Sequence, residues 1–516
     1  MTFAYHAACD GWYATSLDEN GDPEKITNGV ATTTLESLKA YKEAGLNVLY
    51  LNYVFDFSGL YFADPDSLTG NQYTQPVIDK TKKVKQIMDW AAQLGLKCIL
   101  TEGTIYNLSC SKSSLIVTDG SADGEKTFAS QSALNEYLKP FVKDVMMHEA
   151  FYGFAFDDEP TYVQFKAMGQ LAAAIHATAP NAYIMINLYG YGEGNLTKEY
   201  YMEKSAAQAL VAMYGEAVAY PKIYRNYLDE YYNHVVLVGG VKDIRYDDYP
   251  IQEVWDENAW TDLDVEGNPT TPEGERESDI ALMHLRTASI IADFCKEKGI
   301  SYGKVFQTMG GGAVTSSSNK FWRTPTKDDM YWQMHIGMAM GLKNFSYWTY
   351  YPVINMGDYE EYYHDSTFVN FQGEKNPMYY WMQDIHGEMQ SMAKALSWFE
   401  FVGARVLRNG VLGDDDYIAE AIKQNDELSI SDPILGKQGA LLVTELYDEA
   451  HSKKGFWLVN VTDPAEKASQ RVTVTLEDYS YAYVYRNGEA TTVCLDEQSM
   501  ATFELACGQG VFVIPF

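Results

Sequence analysis

The sequence predicts an α/β chain: a (β/α)8 TIM barrel over residues 1–400, followed by an antiparallel β-sandwich over residues 401–516. Three observations predict it. Short apolar strands alternate with amphipathic helices through the first part of the chain. The connections from helix to strand are terse, whereas those from strand to helix are long. From about residue 401 the pattern changes to short β runs punctuated by turn residues.

The elements follow in order. Apolar runs of strand length cover 3–8, 48–54, 97–101 and 153–157, then 183–188, 243–247, 304–308 and 344–349. Between them apolar residues recur at helical spacing over 35–44, 84–94, 134–147, 162–177, 280–298 and 328–341. The returns to the next strand read Ala44-Gly45-Leu46, Leu94-Gly95-Leu96, Ala179-Pro180-Asn181 and Gly341-Leu342-Lys343. The outgoing loops span roughly 55–75, 104–130, 251–278, 310–325 and 351–377. In a barrel such loops gather at the C-terminal face, where clefts are built. Residues 310–325, rich in Gly and Ser around Trp322, read as a mobile flap. Residues 251–278, acidic and carrying Gly267, Pro269 and Pro272, read as a lid. Both read equally as ordinary surface excursions. After a helical stretch at 378–397, β runs fall at 417–422, 440–446, 456–461, 471–476, 481–485, 491–494, 502–505 and 511–514.

Composition narrows the function classes. A net charge of −32, from 71 acidic and 39 basic residues, repels nucleic acid and anionic membranes and disfavours polyanionic substrates. No apolar run reaches the roughly 18 residues of a membrane helix, so no membrane partner is expected. The start, Met1-Thr2-Phe3-Ala4-Tyr5-His6, lacks the basic-then-apolar pattern of a signal peptide. The cysteines Cys9, Cys98, Cys110, Cys295, Cys494 and Cys507 form no C-x-x-C pair. Buried free thiols, a reducing compartment and a cytoplasmic location are the expectation, with secretion left open for a chain trimmed of its leader. Neither a zinc site nor any other cofactor is expected. The 40 Tyr, 22 Phe and 10 Trp suit a ligand with apolar faces edged by hydroxyls, although large cores use these residues too.

A barrel would bring its strand ends to one cavity. Those ends offer Asp10 and Trp12, Asn52, Glu102, then Asp157 and Glu159, then Asn187, then Tyr246, Asp247 and Asp248, then Gln307, and last Trp348. With Trp322 from the flap, these carboxylates, amides and aromatics suit a neutral polyhydroxylated ligand. Gly310-Gly311-Gly312 could cradle a phosphate, but no basic residue adjoins it before Lys320 and Arg323.

The segment Phe151-Tyr152-Gly153-Phe154-Ala155-Phe156-Asp157-Asp158-Glu159-Pro160 is the most informative. If the strand runs through it, alternation places Asp157 and Glu159 on one face and Asp158 on the other. Two carboxylates so placed raise the proton affinity of one of them, which is the arrangement that glycosidic cleavage uses. Glu159 is then the candidate general acid, with Asp157 ionised beside it and Asp247 the next carboxylate in reach. Asp-Asp-Tyr-Pro at Asp247 also reads as a turn signal. Trp348 reads as a sugar-subsite floor or as plain core. Asn187 and Gln307 read as partners of hydroxyls or of neighbouring strand ends.

On these residues the chain resembles a barrel glycoside hydrolase, and two relatives share the likeness. Residues 153–159 are similar to the strand-four signature D-G-x-D-x-D-x-E of the chitinase-type family, whose last Asp and Glu fall on Asp157 and Glu159. Tyr246-Asp247 matches that family's strand-six Tyr-Asp, and Trp348 its strand-eight Trp. The resemblance implies Glu159 as acid, the substrate's own N-acetyl group as nucleophile, and Asp157 with Tyr246-Asp247 orienting the acetamide. Tyr152 and Ala155 replace the first two aspartates of the signature.

The second relative is the clan of β-galactosidases and cellulases, where Asn-Glu-Pro carries the acid; Asp158-Glu159-Pro160 is similar. That clan has a Glu nucleophile where this chain reads Val305-Phe306-Gln307-Thr308, and an amide cannot make that attack. Over nearly its whole length the chain looks most like bacterial barrel hydrolases with G-x-x-x-x-D-E-P, Y-D-x-Y-P and a trailing sandwich. The expectation is cleavage of a neutral or N-acetylated saccharide. A glycan-binding protein on a degenerate barrel is the alternative, and a metal-dependent enzyme using His6, Asp157 and Asp247 a weaker one.

Overall fold

The computed structural model describes residues 4–8, 12–17, 23–28, 33–55, 75–117, 126–191, 200–253, 276–315, 318–352, 354–356, 360–363, 367–370, 373–408, 411–412, 428–430, 440–462, 464 and 467–516. Two compact units divide the chain, Tyr5–Asp247 and Met1–Ala4 with Asp248–Phe516. Cys9, the expected strand at 417–422 and residues 254–275 of the expected lid at 251–278 lie outside the described residues.

The first unit is a parallel α/β layer. Strands β1 (Ala4–Ala8), β2 (Val48–Phe55), β3 (Lys97–Glu102), β4 (Phe151–Ala155) and β5 (Tyr183–Met185) pair in that order, each parallel to the next. Beyond Ile186 the chain re-enters as β6 (Asn187–Leu188), parallel to β7 (Asp243–Asp247). Helices α1 (Leu35–Glu43), α2 (Gln75–Leu94), α3 (Gly103–Ser109), α4 (Gln131–Met146) and α5 (Phe165–Thr178) fill the crossovers. Two more, α6 (Lys204–Tyr214) and α7 (Glu216–Tyr231), precede β7.

Local chemistry explains the boundaries. Thr34 caps α1 reciprocally with Ser37, and Ser130 caps α4 through Ala133. One side of α5 buries Phe165, Met168, Leu171, Ala172 and Ile175, the spacing of an amphipathic helix. Inside the sheet, Val48, Ile99, Ala155 and Met185 pack with Tyr50, Tyr152 and Tyr183. Along β7, alternation puts Asp243, Arg245 and Asp247 on one face. Tyr183 donates to Asp243 Oδ2 at 2.7 Å and accepts from Arg245 Nη2 at 3.0 Å, which satisfies polar groups deep in the layer.

The second unit begins with α8 (Arg276–Lys298), then β8 (Ser301–Gln307) parallel to β9 (Asn344–Trp348), joined through α9 (Lys327–Ala339). Within the segment read as a flap, Gly311–Thr315 pairs antiparallel with Ser318–Trp322, and Glu360–Tyr363 adds a third strand. Helix α10 (Pro377–Leu396) leads into the antiparallel region, where a seven-stranded and a three-stranded sheet enclose Leu441, Val443, Phe456, Leu458, Val472, Val474, Val511 and Val513. Helix α9 lies on this sandwich, with Trp332 Nε1 donating to Val461 O at 3.2 Å. Gly508, at φ 73°, lets the helix approach: a Cβ there would stand 2.6 Å from Trp332 N. Among the described residues Cys98, Cys295 and Cys507 are buried free thiols, and no helix is long and apolar enough to cross a membrane.

Candidate active site

The strand carrying the acidic triplet stops earlier than alternation requires. β4 ends at Ala155, and only the Phe156 N–H continues the ladder, donating to Met185 O at 2.9 Å. The chain then bends, and Glu159 takes a left-handed backbone with φ 48°. Its N–H donates to Asn187 O at 2.9 Å, and the Pro160 carbonyl accepts from Tyr227 at 2.6 Å. Asp157 therefore turns away while Asp158 and Glu159 both meet Asn187, and the expected pairing of Asp157 with Glu159 is not what the structure presents.

Asp157 turns toward α3 and α5. It accepts from Gln164 Nε2 at 2.6 Å, its N–H donates to Ser109 Oγ at 2.8 Å, and Tyr106 and Cys110 hydrogen-bond to it. Burial, and after it the Asp157 charge, pushes the Cys110 thiol up to about 12. Asp158 accepts from Asn187 Nδ2 at 3.0 Å. It keeps an exposed edge, yet surrounding protein raises its proton affinity, and the Asn187 hydrogen bond only partly offsets this.

Glu159 meets Asp247, from the end of β7, within hydrogen-bonding reach. Burial, and after it the Asp158 charge, raises Glu159 to about 7, while the hydrogen bond with Asp247 acts the other way. Asp247 is raised well above the usual carboxylate range, first by burial and then by Glu159 and Asp158. Two carboxyls in such contact do not both ionise readily, so they titrate as a pair. The neighbouring wall is tyrosine. Tyr189 stacks on Tyr200 with centroids 5.1 Å apart, and Tyr201 is buried with its hydroxyl on Gly190 O at 2.9 Å. Both Tyr189 and Tyr201 are pushed up by burial and then by the Glu159 charge.

The other expected residues fall as follows. Asn187 joins the cluster through its amide. Tyr246 is fully buried. Glu102 caps α3, accepting from Ile105 N at 2.8 Å, and is itself buried. Asn52 lies in β2 and Trp12 in the strand Trp12–Leu17, while Asp10 lies outside the described residues.

In the second unit, Asp248 accepts from His284 Nδ1 at 2.6 Å with Lys304 Nζ at 3.8 Å. Burial opposes ionisation of Asp248, but Lys304 and His284 overcome it and hold the carboxyl at about 2. The Gln307 amide is committed to backbone: it accepts from Ile251 N at 2.8 Å and donates to Ile251 O at 2.7 Å. Trp348 and Trp322 pack with Tyr249 around Met309. Tyr201, Gln164, Tyr106 and Cys110 were not anticipated as neighbours of the carboxylates. Among the described residues no three His, Cys, Asp or Glu side chains group with metal-binding geometry.

No family model and no curated protein matches the chain. Several solved structures are similar to it. A glycoside hydrolase family 5 protein from Bacteroides vulgatus shares 9% identity, over 99% of this chain and 89% of that one, at a TM-score of 0.48. A second glycoside hydrolase shares 10% over 93% and 88%, at 0.45. An α-L-arabinofuranosidase from Thermotoga maritima shares 10% over 100% and 96%, at 0.38.

Proposed function

We propose that this chain is a glycoside hydrolase acting on a neutral or N-acetylated saccharide, with its parallel strands closed as a barrel. The observation that carries this reading is the Glu159–Asp247 carboxyl pair, half-buried where the turn after β4 meets the end of β7, beside a tyrosine wall. Glycosidic cleavage needs a carboxyl that keeps its proton near neutrality and gives it to the leaving oxygen. Glu159, raised to about 7, suits that role. As the proton leaves for the glycosidic oxygen, the C–O bond breaks with its electrons going to that oxygen. The sugar left behind carries positive charge, which Asp158 and the ionised partner of the pair stabilise. Water then gives its proton to Glu159 as its oxygen bonds the sugar. Asp157, tied to Gln164 and Tyr106, holds the turn that presents Glu159.

Glu159 and Asp247 sit closer than the roughly 5–5.5 Å that separates the acid and nucleophile of retaining enzymes. Asp247 therefore tunes the proton of Glu159 rather than attacking the sugar from across the ring. Nucleophilic help from a substrate acetamide fits this arrangement.

One observation favours a glycan-binding protein instead: Gln307 stands where the cellulase-like clan has its nucleophile, and its amide is tied to backbone. Reducing-sugar release decides between them. Wild-type release from an oligosaccharide panel that Glu159→Gln lacks supports hydrolysis, and array binding without release supports the rival.

A further inference from the structure

We infer that Asn187 determines specificity in the proposed reaction, and that its Oδ1 accepts a hydrogen bond from a ring substituent of the bound sugar. The inference rests on the reading of this site as a saccharide site and names what that saccharide must carry: a hydrogen-bond donor, hydroxyl or amide N–H, next to the acid.

Asn187 is locked from two sides. Its backbone carbonyl accepts the Glu159 N–H at 2.9 Å, and its Nδ2 donates to Asp158 Oδ1 at 3.0 Å. The side chain also hydrogen-bonds to Asp247. These acceptors fix the amide's orientation, because the opposite one would set Oδ1 against a carboxylate oxygen. Oδ1 is thereby left buried without a partner among the described residues, in a side chain whose residue is only 7% exposed. Buried acceptors are almost always paired, so an orphan one among three carboxyls marks where a ligand donor belongs. The amide's one donor group already faces carboxylates, and Asp158, Glu159 and Asp247 are acceptors or share protons with one another. Every hydrogen bond still open at this cluster asks for a donor. A sugar with hydroxyls or an acetamide N–H supplies one, and a deoxy carbon or a carboxylate there does not.

The test is a cycle between protein and substrate. Wild type and Asn187→Ala are assayed on 4-nitrophenyl glucoside, galactoside and N-acetylglucosaminide, and then on singly deoxygenated forms of the fastest. On wild type, removing one particular substituent is expected to lower kcat/KM roughly 10- to 100-fold. On Asn187→Ala the same removal is expected to change it less than about threefold. Asn187→Asp, which keeps an acceptor oxygen, is expected to retain the discrimination at lower turnover, and Asn187→Leu, close in volume but without an acceptor, stands in if the alanine variant does not fold. A full deoxygenation penalty in the folded alanine or leucine variant overturns the inference. If wild type cleaves none of the glycosides, hydrolysis fails on its own account. The cycle is then read by calorimetric binding of glucose, galactose, N-acetylglucosamine and their deoxy forms. Equal penalties, or no binding at all, overturn the role of Asn187.

Discussion

The backbone N–H of Glu159 donates to the Asn187 carbonyl at 2.9 Å, so the turn after β4 is fastened to the start of β6. That bond joins the candidate acid to a residue whose side chain also reaches Asp158 and Asp247. A local change in any of the four should be felt by the others.

Glu159→Gln should lose activity and gain stability at neutral to alkaline pH. The Glu159 carboxyl is raised from 4.5 to about 7. Between those values the folded chain holds a proton that the unfolded chain has released, so stability declines as pH rises through that window. Above it the buried charge costs about 2–3 kcal/mol, which the neutral amide removes. Urea unfolding should show the variant more stable than wild type at pH 8 and equal to it near pH 4.5. Turnover should fall about 10²- to 10⁴-fold. A variant less stable at both pH values would sink the idea of a strained acid.

Asp247→Asn should change the shape of the pH profile. In wild type the working form of the pair holds one proton, and uptake of a second proton at lower pH reduces kcat/KM on the acid side. With asparagine at 247 that acid limb should vanish, leaving only an alkaline limb as Glu159 ionises. A bell identical to that of wild type would show that Asp247 does not share the proton.

Lys304→Met should destabilise the second unit by about 3–5 kcal/mol, because Asp248 keeps its charge in a buried site without its cation. Adding Asp248→Asn should restore much of the loss. Thermal unfolding of the single and double variants measures the recovery, and additive losses would count against this pairing.

Gly508→Ala should lower stability by about 2–4 kcal/mol, since the new methyl meets α9 backbone from a left-handed position. The loss should persist in the presence of saccharide. A melting temperature unchanged from wild type would mean that α9 can slide on the sandwich.

The strands were legible because buried parallel strands are continuous apolar runs, as at Cys98-Ile99-Leu100. Alternation misled at Asp157, since β4 stops at Ala155 and a turn has no alternating faces. Glu159 in the left-handed region is not a choice that a glutamate announces in sequence. The 311–322 hairpin was hidden because glycines and serines carry no strand signal of their own. The helices α6 and α7 went unnamed; Gly215, at φ 74°, separates them, and Pro221 lies inside α7. Asn187 was readable as a strand-end amide, but its tie to Asp158 needs two chain segments to meet.

The left-handed turn at Glu159 sets ease of backbone against length of side chain. Aspartate tolerates that conformation better than glutamate, so Glu159→Asp would relax the turn while leaving the carboxyl one methylene short. The aim of the acid is thus a property of a main-chain kink and of the neighbour that pins it. Grafting Asp157 to Pro160 onto another scaffold would transfer the acid without its direction, unless the strand end presenting Asn187 travelled with it.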